Sequence, residues 1–165
     1  MGTQAHSHSS AKIQHQLLTA EHLCSQRGSR LTPLRKRVLE TLLRHHGSLK
    51  AYELLDALRT STPGVAPPTV YRALDFLTEQ GLIHRLDAIN AWTACTDAGG
   101  TRHDLLIVCI RCGTVAELSD PDLSQRLADC VAQTDFALDG HETELRAICA
   151  RCLADPSPST EAGLP

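Results

Sequence analysis

Residues 82–118 read LIHRLDAINAWTACTDAGGTRHDLLIVCIRCGTVAEL, and they hold members of two sets of metal-ligand side chains. Cys109-Ile-Arg-Cys112 is a CxxC knuckle whose spacing lets both thiolates face one ion. Cys149-Ala-Arg-Cys152 repeats the knuckle after 36 intervening residues. Two such knuckles supply four thiolates at tetrahedral reach, which predicts a structural zinc site.

A second, mixed set of possible ligands is interleaved with the first. It consists of His84, Cys95, His103 and Glu117. Each lies where a predicted strand or loop begins or ends, so a shared ion would tie separate elements together. A single His or Cys on a strand is more often packed or solvated than a ligand, so the residues alone leave this second site open.

Composition limits the class of protein. The chain has 165 residues, enough for one ordinary domain or two small ones, and only 3% aromatics, so aliphatic packing and metal must hold it. No run of 18 apolar residues and no apolar signal segment is present, and we expect a soluble, cytoplasmic protein. Seven cysteines, four of them in CxxC form, favour reduced thiols.

Charge is distributed unevenly along the chain. Residues 1–85 hold 11 Lys and Arg against 6 Asp and Glu, whereas residues 86–165 hold 5 against 13. A basic half joined to an acidic half suggests that the first half binds a polyanion, although a solvated charged face would give the same numbers.

The basic half predicts four helices followed by a hairpin. Apolar residues recur at helical spacing from Ile13 to Gly28, from Pro33 to about Gly47 and from Ala51 to Arg59. Pro68 can open a fourth helix that ends at Gly81. Residues 82–86 and 91–95 then alternate as a hairpin. Two short helices joined by a turn and followed by a hairpin predict a winged helix-turn-helix that binds DNA.

The fourth helix is the predicted recognition helix. Arg72 is the best base reader, because a guanidinium pairs bidentately with guanine, and Thr69, Tyr71 and Tyr52 are further candidates. Tyr52 has an equally plausible alternative as a packed ring with its hydroxyl satisfied. The predicted phosphate anchors are Arg35, Lys36, Arg37 and Lys50.

The acidic half predicts a small α+β module. Strands are expected at residues 105–110, 114–118, 134–138 and 144–149, with a helix from Asp120-Pro121. Its apolar content is too low to stand alone comfortably, which argues for a zinc clamp and a second copy of the chain. The predicted organisation is a disordered segment 1–11, a winged-helix domain 12–95, a hinge 96–104, a dimerisation and metal-binding domain 105–152 and a disordered tail 153–165.

The order PPTVYRALDFL, GLIHR, NAW, CIRCG and CARC resembles the ferric uptake regulator superfamily over residues 20–152, and within it the zinc uptake regulator branch. The resemblance implies a homodimeric, metal-dependent DNA-binding repressor, with two Zn²⁺ per chain. Structural zinc is then expected on Cys109, Cys112, Cys149 and Cys152. The sensing zinc is expected on His84, Cys95, His103 and Glu117.

The ligand chemistry favours zinc. Two imidazoles, a thiolate and a carboxylate suit tetrahedral Zn²⁺, whereas iron sites of this kind would use more imidazole and carboxylate. One departure from the superfamily is the single His103 where many members have a His-rich run. A third site built from Asp104, His141 and an acidic residue is left open, a solvated histidine being the alternative.

The implied mechanism is a zinc-dependent population shift. Zinc would hold the two winged helices of a dimer at the spacing of two half-sites in an AT-rich pseudo-palindrome near zinc-import genes. Asp56 and Arg59 form either a local pair or a bridge between two dimers on one operator, and the sequence does not decide.

Three other functions are compatible with parts of the sequence. A regulator of the same fold that senses iron or manganese would tolerate loss of Cys95. A redox-switched regulator would release zinc from the four cysteines on mild oxidation. A zinc hydrolase or nucleoside deaminase requires an H-x-E and a P-C-x-x-C pattern, and here Val108 and Ile148 precede the knuckles. No catalytic constellation is present, so we predict that the chain is not an enzyme.

Overall fold

A computed structural model describes residues 10–45, 47–96, 98, 105–138 and 142–155. The described chain forms two compact units. The first contains the described residues up to Leu86 and from Asn90 to Ala98, and the second contains Asp87–Ile89 and the described residues from Leu105 onward. Among the helices of these residues, none is both long enough and apolar enough to cross a membrane.

Four helices open the first unit: α1 Ser10–Gln26, α2 Pro33–Arg44, α3 Ala51–Arg59 and α4 Pro67–Glu79. Prolines at the first helical positions begin α2 and α4, where their missing N–H has no intrahelical partner to lose. Gly28 and Gly81 follow α1 and α4 with φ of 67° and 66°, a backbone conformation that glycine adopts without a steric cost. The four predicted helices are confirmed.

A two-stranded antiparallel hairpin completes the first unit. Strands β1 (Ile83–Leu86) and β2 (Ala91–Ala94) pair with Arg85 opposite Trp92. Asn90 turns the chain with φ 49°, and Leu49 forms an isolated bridge to Trp92. Helices α3 and α4 followed by this hairpin make a winged helix, as predicted.

The core of the first unit is aliphatic. Nineteen buried residues form one cluster, drawn from all four helices and the hairpin. Leu54, Leu58 and Leu74 are fully inaccessible to solvent. Burying one such side chain contributes about 1.5–3 kcal/mol, so this unit folds on hydrophobic burial.

The second unit is built around a three-stranded sheet. Its elements are β3 Leu105–Cys109, β4 Val115–Leu118, α5 Pro121–Ala132, β5 Thr143–Ala147 and α6 Ala150–Ala154. The strand order is β4-β3-β5, with β4 antiparallel and β5 parallel to β3. A parallel pair requires a crossover connection, which α5 provides.

Three predictions about this chain are wrong. Residues 134–138 are not a strand, because α5 runs into a turn in which Asp135 adopts φ 62°. Helix α1 begins at Ser10, inside the segment predicted to be disordered, and α6 includes Leu153 and Ala154, which were assigned to the tail. The hinge glycines Gly99 and Gly100 lie outside the described residues.

The hairpin turn groups with the second unit through Glu144. The carboxylate of Glu144 accepts hydrogen bonds from the backbone N–H groups of Asp87 at 2.8 Å and Ala88 at 2.9 Å. The predicted domain boundary placed this turn in the winged helix. A single carboxylate holds both backbone groups, which is a stronger arrangement than two neutral hydrogen bonds.

Helix α5 is amphipathic, yet none of its residues is buried. Leu123 is 41% exposed, and beyond the helix Phe136 is 73% exposed. Asp120 caps the helix by accepting from the backbone N–H of Leu123 at 3.0 Å. The apolar stripe predicted for this helix therefore exists, and within one chain its residues are half-buried or exposed.

Candidate metal centres and nucleic-acid interface

Four thiols in the second unit converge on one point. The Sγ atoms of Cys109, Cys112, Cys149 and Cys152 all lie within 4.8 Å of one another, and Cys112 Sγ is 3.6 Å from Cys149 Sγ. A tetrahedral ion with Zn–S bonds of about 2.3 Å places its sulfurs about 3.8 Å apart. The four cysteines therefore fit zinc without rearrangement of the backbone.

The parallel sheet explains why two knuckles so distant in sequence meet. Cys109 ends β3 opposite Ala147 of β5, so both strands deliver their knuckles at the same edge of the sheet. Gly113 turns the first knuckle with φ 69°, and its N–H donates to the carbonyl of Cys109 at 2.9 Å. The Arg111 side chain donates to the carbonyl of Cys152 at 2.7 Å and joins the two knuckles.

The surroundings of Cys109, Cys112 and Cys152 shift the pKa values of these thiols in different directions. Burial alone would raise the pKa of Cys112, but hydrogen bonds from the hydroxyl and backbone of Thr114 outweigh it and lower this pKa to about 6. Burial also opposes ionisation of Cys109, whose pKa is nevertheless lowered by backbone hydrogen bonds, the largest from Cys149. Burial and hydrogen bonds to the other thiols raise the pKa of Cys152 to about 12. Both pKa shifts of the first knuckle favour the thiolate, which is the form of cysteine that binds a divalent cation.

The first unit holds a buried pair of ligand types on its hairpin. His84 on β1 is 4% exposed and Cys95, directly after β2, is 7% exposed. His84 is opposite Thr93, and Cys95 is the next residue on the same face of the hairpin, so the two side chains are diagonal neighbours. Their ligand atoms lie within 4.8 Å of each other.

The other two predicted sensing ligands belong elsewhere. Glu117 lies in the second unit on β4, where it is opposite Leu106 and half-buried. His103 lies outside the described residues, as do Asp104 and His141 of the third site that was left open. The assignment of all four sensing ligands therefore stays a prediction.

The predicted base readers are exposed on the winged helix. Thr69, Tyr71 and Arg72 are exposed on α4, with Tyr71 at 47%, and Tyr52 is 59% exposed on α3. The Tyr52 ring is therefore not packed in the core. The inward face of α4 is buried through Val70, Leu74 and Leu77, as its spacing predicts.

Most of the predicted phosphate anchors make contacts inside the protein. The Arg35 guanidinium lies 3.4 Å from the centre of the Phe76 ring, and Lys36 pairs with Glu21 at 2.6 Å. Arg37 donates to the carbonyl of Ser61 at 2.5 Å. Lys50 is half-buried at the start of α3. These cations remain candidates, although Arg35, Lys36 and Arg37 already have partners within the protein.

Asp56 and Arg59 form a local ion pair on α3, with Nη1 2.9 Å from Oδ1. The local alternative is therefore realised within one chain, and both side chains are more than half exposed. Surface pairs of this kind contribute at most about 1 kcal/mol.

Two residues near the sites were not singled out in the sequence. Thr114 lies 3.2 Å from Cys112 Sγ and stabilises its thiolate, and a hydroxyl two residues after a knuckle cysteine is a usable signal for it. Trp92 is 5% exposed and contacts Tyr71 edge to face at 6.1 Å between ring centres. The Trp92–Tyr71 contact joins the hairpin to α4 and has no local signal in the sequence.

Comparison with known proteins agrees with the geometry. The chain is 39% identical over 138 residues to the zinc uptake regulation protein of Escherichia coli strain K12, covering 83% of this chain and 81% of that protein. A solved structure of a zinc uptake regulator complexed with zinc and DNA is 38% identical, with a TM-score of 0.77, covering 88% of this chain and 97% of that one. The crystal structure of holo XcZur is 39% identical with a TM-score of 0.71, covering 84% and 96%.

A family model describes residues 26–146, which span both units from the end of α1 to β5. The matched range includes His84, Cys95 and the first knuckle. The chain belongs to the ferric uptake regulator family.

Proposed function

We propose that this chain is a zinc-responsive DNA-binding transcriptional regulator, mainly a repressor, of genes for zinc uptake and homeostasis. The observation that carries the proposal is the buried His84–Cys95 pair on the hairpin of a winged helix. An imidazole and a thiol whose ligand atoms lie within 4.8 Å of each other suit zinc better than iron or manganese. The likeness to zinc uptake regulators supports the same metal.

Two zinc ions per chain are part of the proposal. The four cysteines would hold one ion that is structural, because a closed Cys₄ set leaves no open position. His84, Cys95, His103 and Glu117 would hold the sensing ion. Four protein ligands at each ion would leave no open position for a catalytic water, so the chain acts as a regulator rather than an enzyme.

The proposed switch follows from where the ligands lie in the sequence. His84 and Cys95 belong to the winged helix and Glu117 belongs to the second unit, so one ion bound by all of them would restrict the freedom of the two units. Zinc then favours the DNA-binding arrangement by its differential affinity for that arrangement. Free zinc concentration thereby sets the fraction of chains that bind DNA.

The working form in this proposal is a cytoplasmic homodimer on an AT-rich pseudo-palindrome. The unburied apolar stripe of α5 supports self-association, because exposed apolar faces of this kind mark interfaces. A two-fold dimer presents two recognition helices to the two halves of a palindrome. The exposed Asp56 and Arg59 are also compatible with two dimers on one operator.

The test combines zinc stoichiometry with DNA binding. Zinc-loaded wild-type chain first selects its duplex from a random-sequence pool, and binding of that duplex is then titrated with buffered free zinc at fixed salt. We expect two zinc ions per wild-type chain. Cys95→Ser should hold one, remain a folded dimer and lose the zinc dependence of DNA binding. Cys130→Ser is the matched control for zinc content, because Cys130 is an exposed thiol outside both ligand sets.

Three outcomes would overturn parts of the proposal. A normal zinc response in Cys95→Ser would remove Cys95 from the sensing site. Stronger activation by iron or manganese than by zinc would make the chain a sensor of that metal. Loss of zinc from the four cysteines on mild oxidation, with parallel loss of DNA binding, would indicate a redox switch.

A further inference from the structure

Trp92 joins three segments of the first unit that carry exposed polar side chains. Its backbone N–H and carbonyl pair with Leu49, at 2.8 Å and 2.9 Å. The edge of its ring meets Tyr71 of α4 at an interplanar angle of 73°, and the Arg85 guanidinium lies 5.9 Å from the ring centre. Since Trp92 is only 5% exposed, it is a fixed support for its two partners, which are both exposed.

Arg85 differs from the predicted phosphate anchors in its position. It lies on the hairpin strand β1, directly opposite Trp92, and its side chain is exposed. Its guanidinium and the Tyr71 ring contact the same indole, so they are separated by no more than the two contact distances together. Arg72, the predicted base reader, is the residue next to Tyr71.

The dimensions of the DNA major groove indicate which part of the duplex Arg85 would meet. The major groove is about 12 Å wide and is bordered on both sides by phosphates. If α4 presents Tyr71 and Arg72 to base edges, Arg85, which contacts the same Trp92 ring as Tyr71, lies within reach of the phosphates that border the groove. A guanidinium offers five donors in a planar fork that matches a phosphate.

We infer that Arg85 is a DNA-phosphate contact of the hairpin, and that Trp92 is the positioning residue that holds Arg85 and Tyr71 in register with one stretch of duplex. The inference rests on the proposed DNA-binding function. Arg85 supplies affinity and orientation without base selection, whereas Tyr71 and Arg72 select the sequence.

The experiment measures the salt dependence of DNA binding by the zinc-loaded, full-length chain. The probes are the duplex selected by the wild type and a version with the selected bases scrambled. Arg85→Gln removes the charge and Arg85→Lys retains it. Arg126→Gln, an exposed arginine on α5 in the second unit, is the matched control. Each phosphate contact contributes about 0.9 to the slope of log K against log salt.

We expect Arg85→Gln to reduce the magnitude of this slope by about 0.9 for each hairpin that meets a phosphate. The ratio of the affinities for the two duplexes should not change. Arg85→Lys and Arg126→Gln should keep the wild-type slope. Trp92→Leu should reduce both the magnitude of the slope and the preference for the selected duplex over the scrambled one. Trp92→Phe should retain both. Unchanged amide exchange in β1 and β2 of the Arg85 variants would show that the hairpin is intact.

Equal slopes for the wild type and Arg85→Gln would overturn the contact while leaving the proposed function standing. A wild type that binds no duplex would overturn the proposed function, and the contact with it. If Trp92→Leu lowers the slope but keeps full discrimination, Trp92 does not position Tyr71.

Discussion

The two units of this chain are stabilised by different means. The first unit buries nineteen residues in one aliphatic cluster. Among the described residues of the second unit, only five are buried apolar side chains or cysteines, and two of those, Cys109 and Cys152, belong to the thiol cluster. The first unit is therefore expected to fold without metal, whereas the second depends on the bonds that an ion makes between its strands.

The largest effect is expected from breaking the thiol cluster. Cys112→Ser removes one of the four thiols of the proposed structural site, where bound zinc would contribute on the order of 10 kcal/mol of apparent folding energy. The second unit should lose amide-exchange protection while the helices of the first unit keep theirs. Hydrogen exchange read by mass spectrometry separates the two, with Cys130→Ser as the control. Retained protection in the second unit would mean that its sheet is stable without the ion.

A cavity in the first unit should destabilise that unit and leave the second unit unchanged. Leu74 is fully buried on α4, and Leu74→Ala should lower the free energy of unfolding of the first unit by about 2–5 kcal/mol. The zinc content of the cysteine cluster should not change. Urea denaturation followed by tryptophan fluorescence reports the first unit, since Trp92 lies in its core cluster. A parallel loss of zinc would show that the two units unfold together.

Removing the charge of Glu144 should weaken the hairpin turn. Glu144→Gln replaces a carboxylate that accepts from two backbone N–H groups with a neutral amide, at a cost of about 1.5–3 kcal/mol. Faster amide exchange at Asp87 and Ala88, measured by NMR, is the expected result. Glu142→Gln, two residues earlier, is the control. Unchanged exchange at both amides would show that the carboxylate does not hold the turn in solution.

The smallest effect is expected at the cap of α5. Asp120→Ala removes a side-chain acceptor from the helix N-terminus and should cost about 0.5–2 kcal/mol in the second unit. Because the helix buries none of its residues within one chain, its burial in a dimer would make the unfolding temperature of wild type and variant alike fall on dilution of the protein. Thermal unfolding at two protein concentrations measures both effects, and an unfolding temperature that is independent of concentration would argue against self-association through α5.

Local patterns predicted most of the fold. Thr32-Pro33 and Asp120-Pro121 marked the starts of α2 and α5, and the spacing of Val70, Leu74 and Leu77 identified the buried face of α4. The strand predicted at residues 134–138 failed because a left-handed residue at Asp135 was not recognisable from composition. Helix α6 was missed because five residues are too few to show a period.

The sites were predictable to different degrees. Two CxxC knuckles indicate a cluster whatever the fold, and the four sulfurs do converge. The hairpin register that makes His84 and Cys95 diagonal neighbours was implied by the predicted strands. The partners of Arg35, Lys36 and Arg37 were not predictable, since each comes from a distant part of the first unit. The contact of Trp92 with Tyr71 depends on how the hairpin packs on α4.

The parallel pairing of β3 with β5 bears on how a zinc ion bound by the four cysteines would be released. Each strand leads into one CxxC knuckle, so a bound zinc ion would be held by the sulfurs of Cys109 and Cys112 on one side and of Cys149 and Cys152 on the other. The sulfurs of one knuckle could then be exchanged for ligands of a competing acceptor while the other knuckle keeps its hold. The rate of zinc loss is accordingly expected to rise with the concentration of the acceptor, and a rate independent of acceptor would exclude this stepwise transfer.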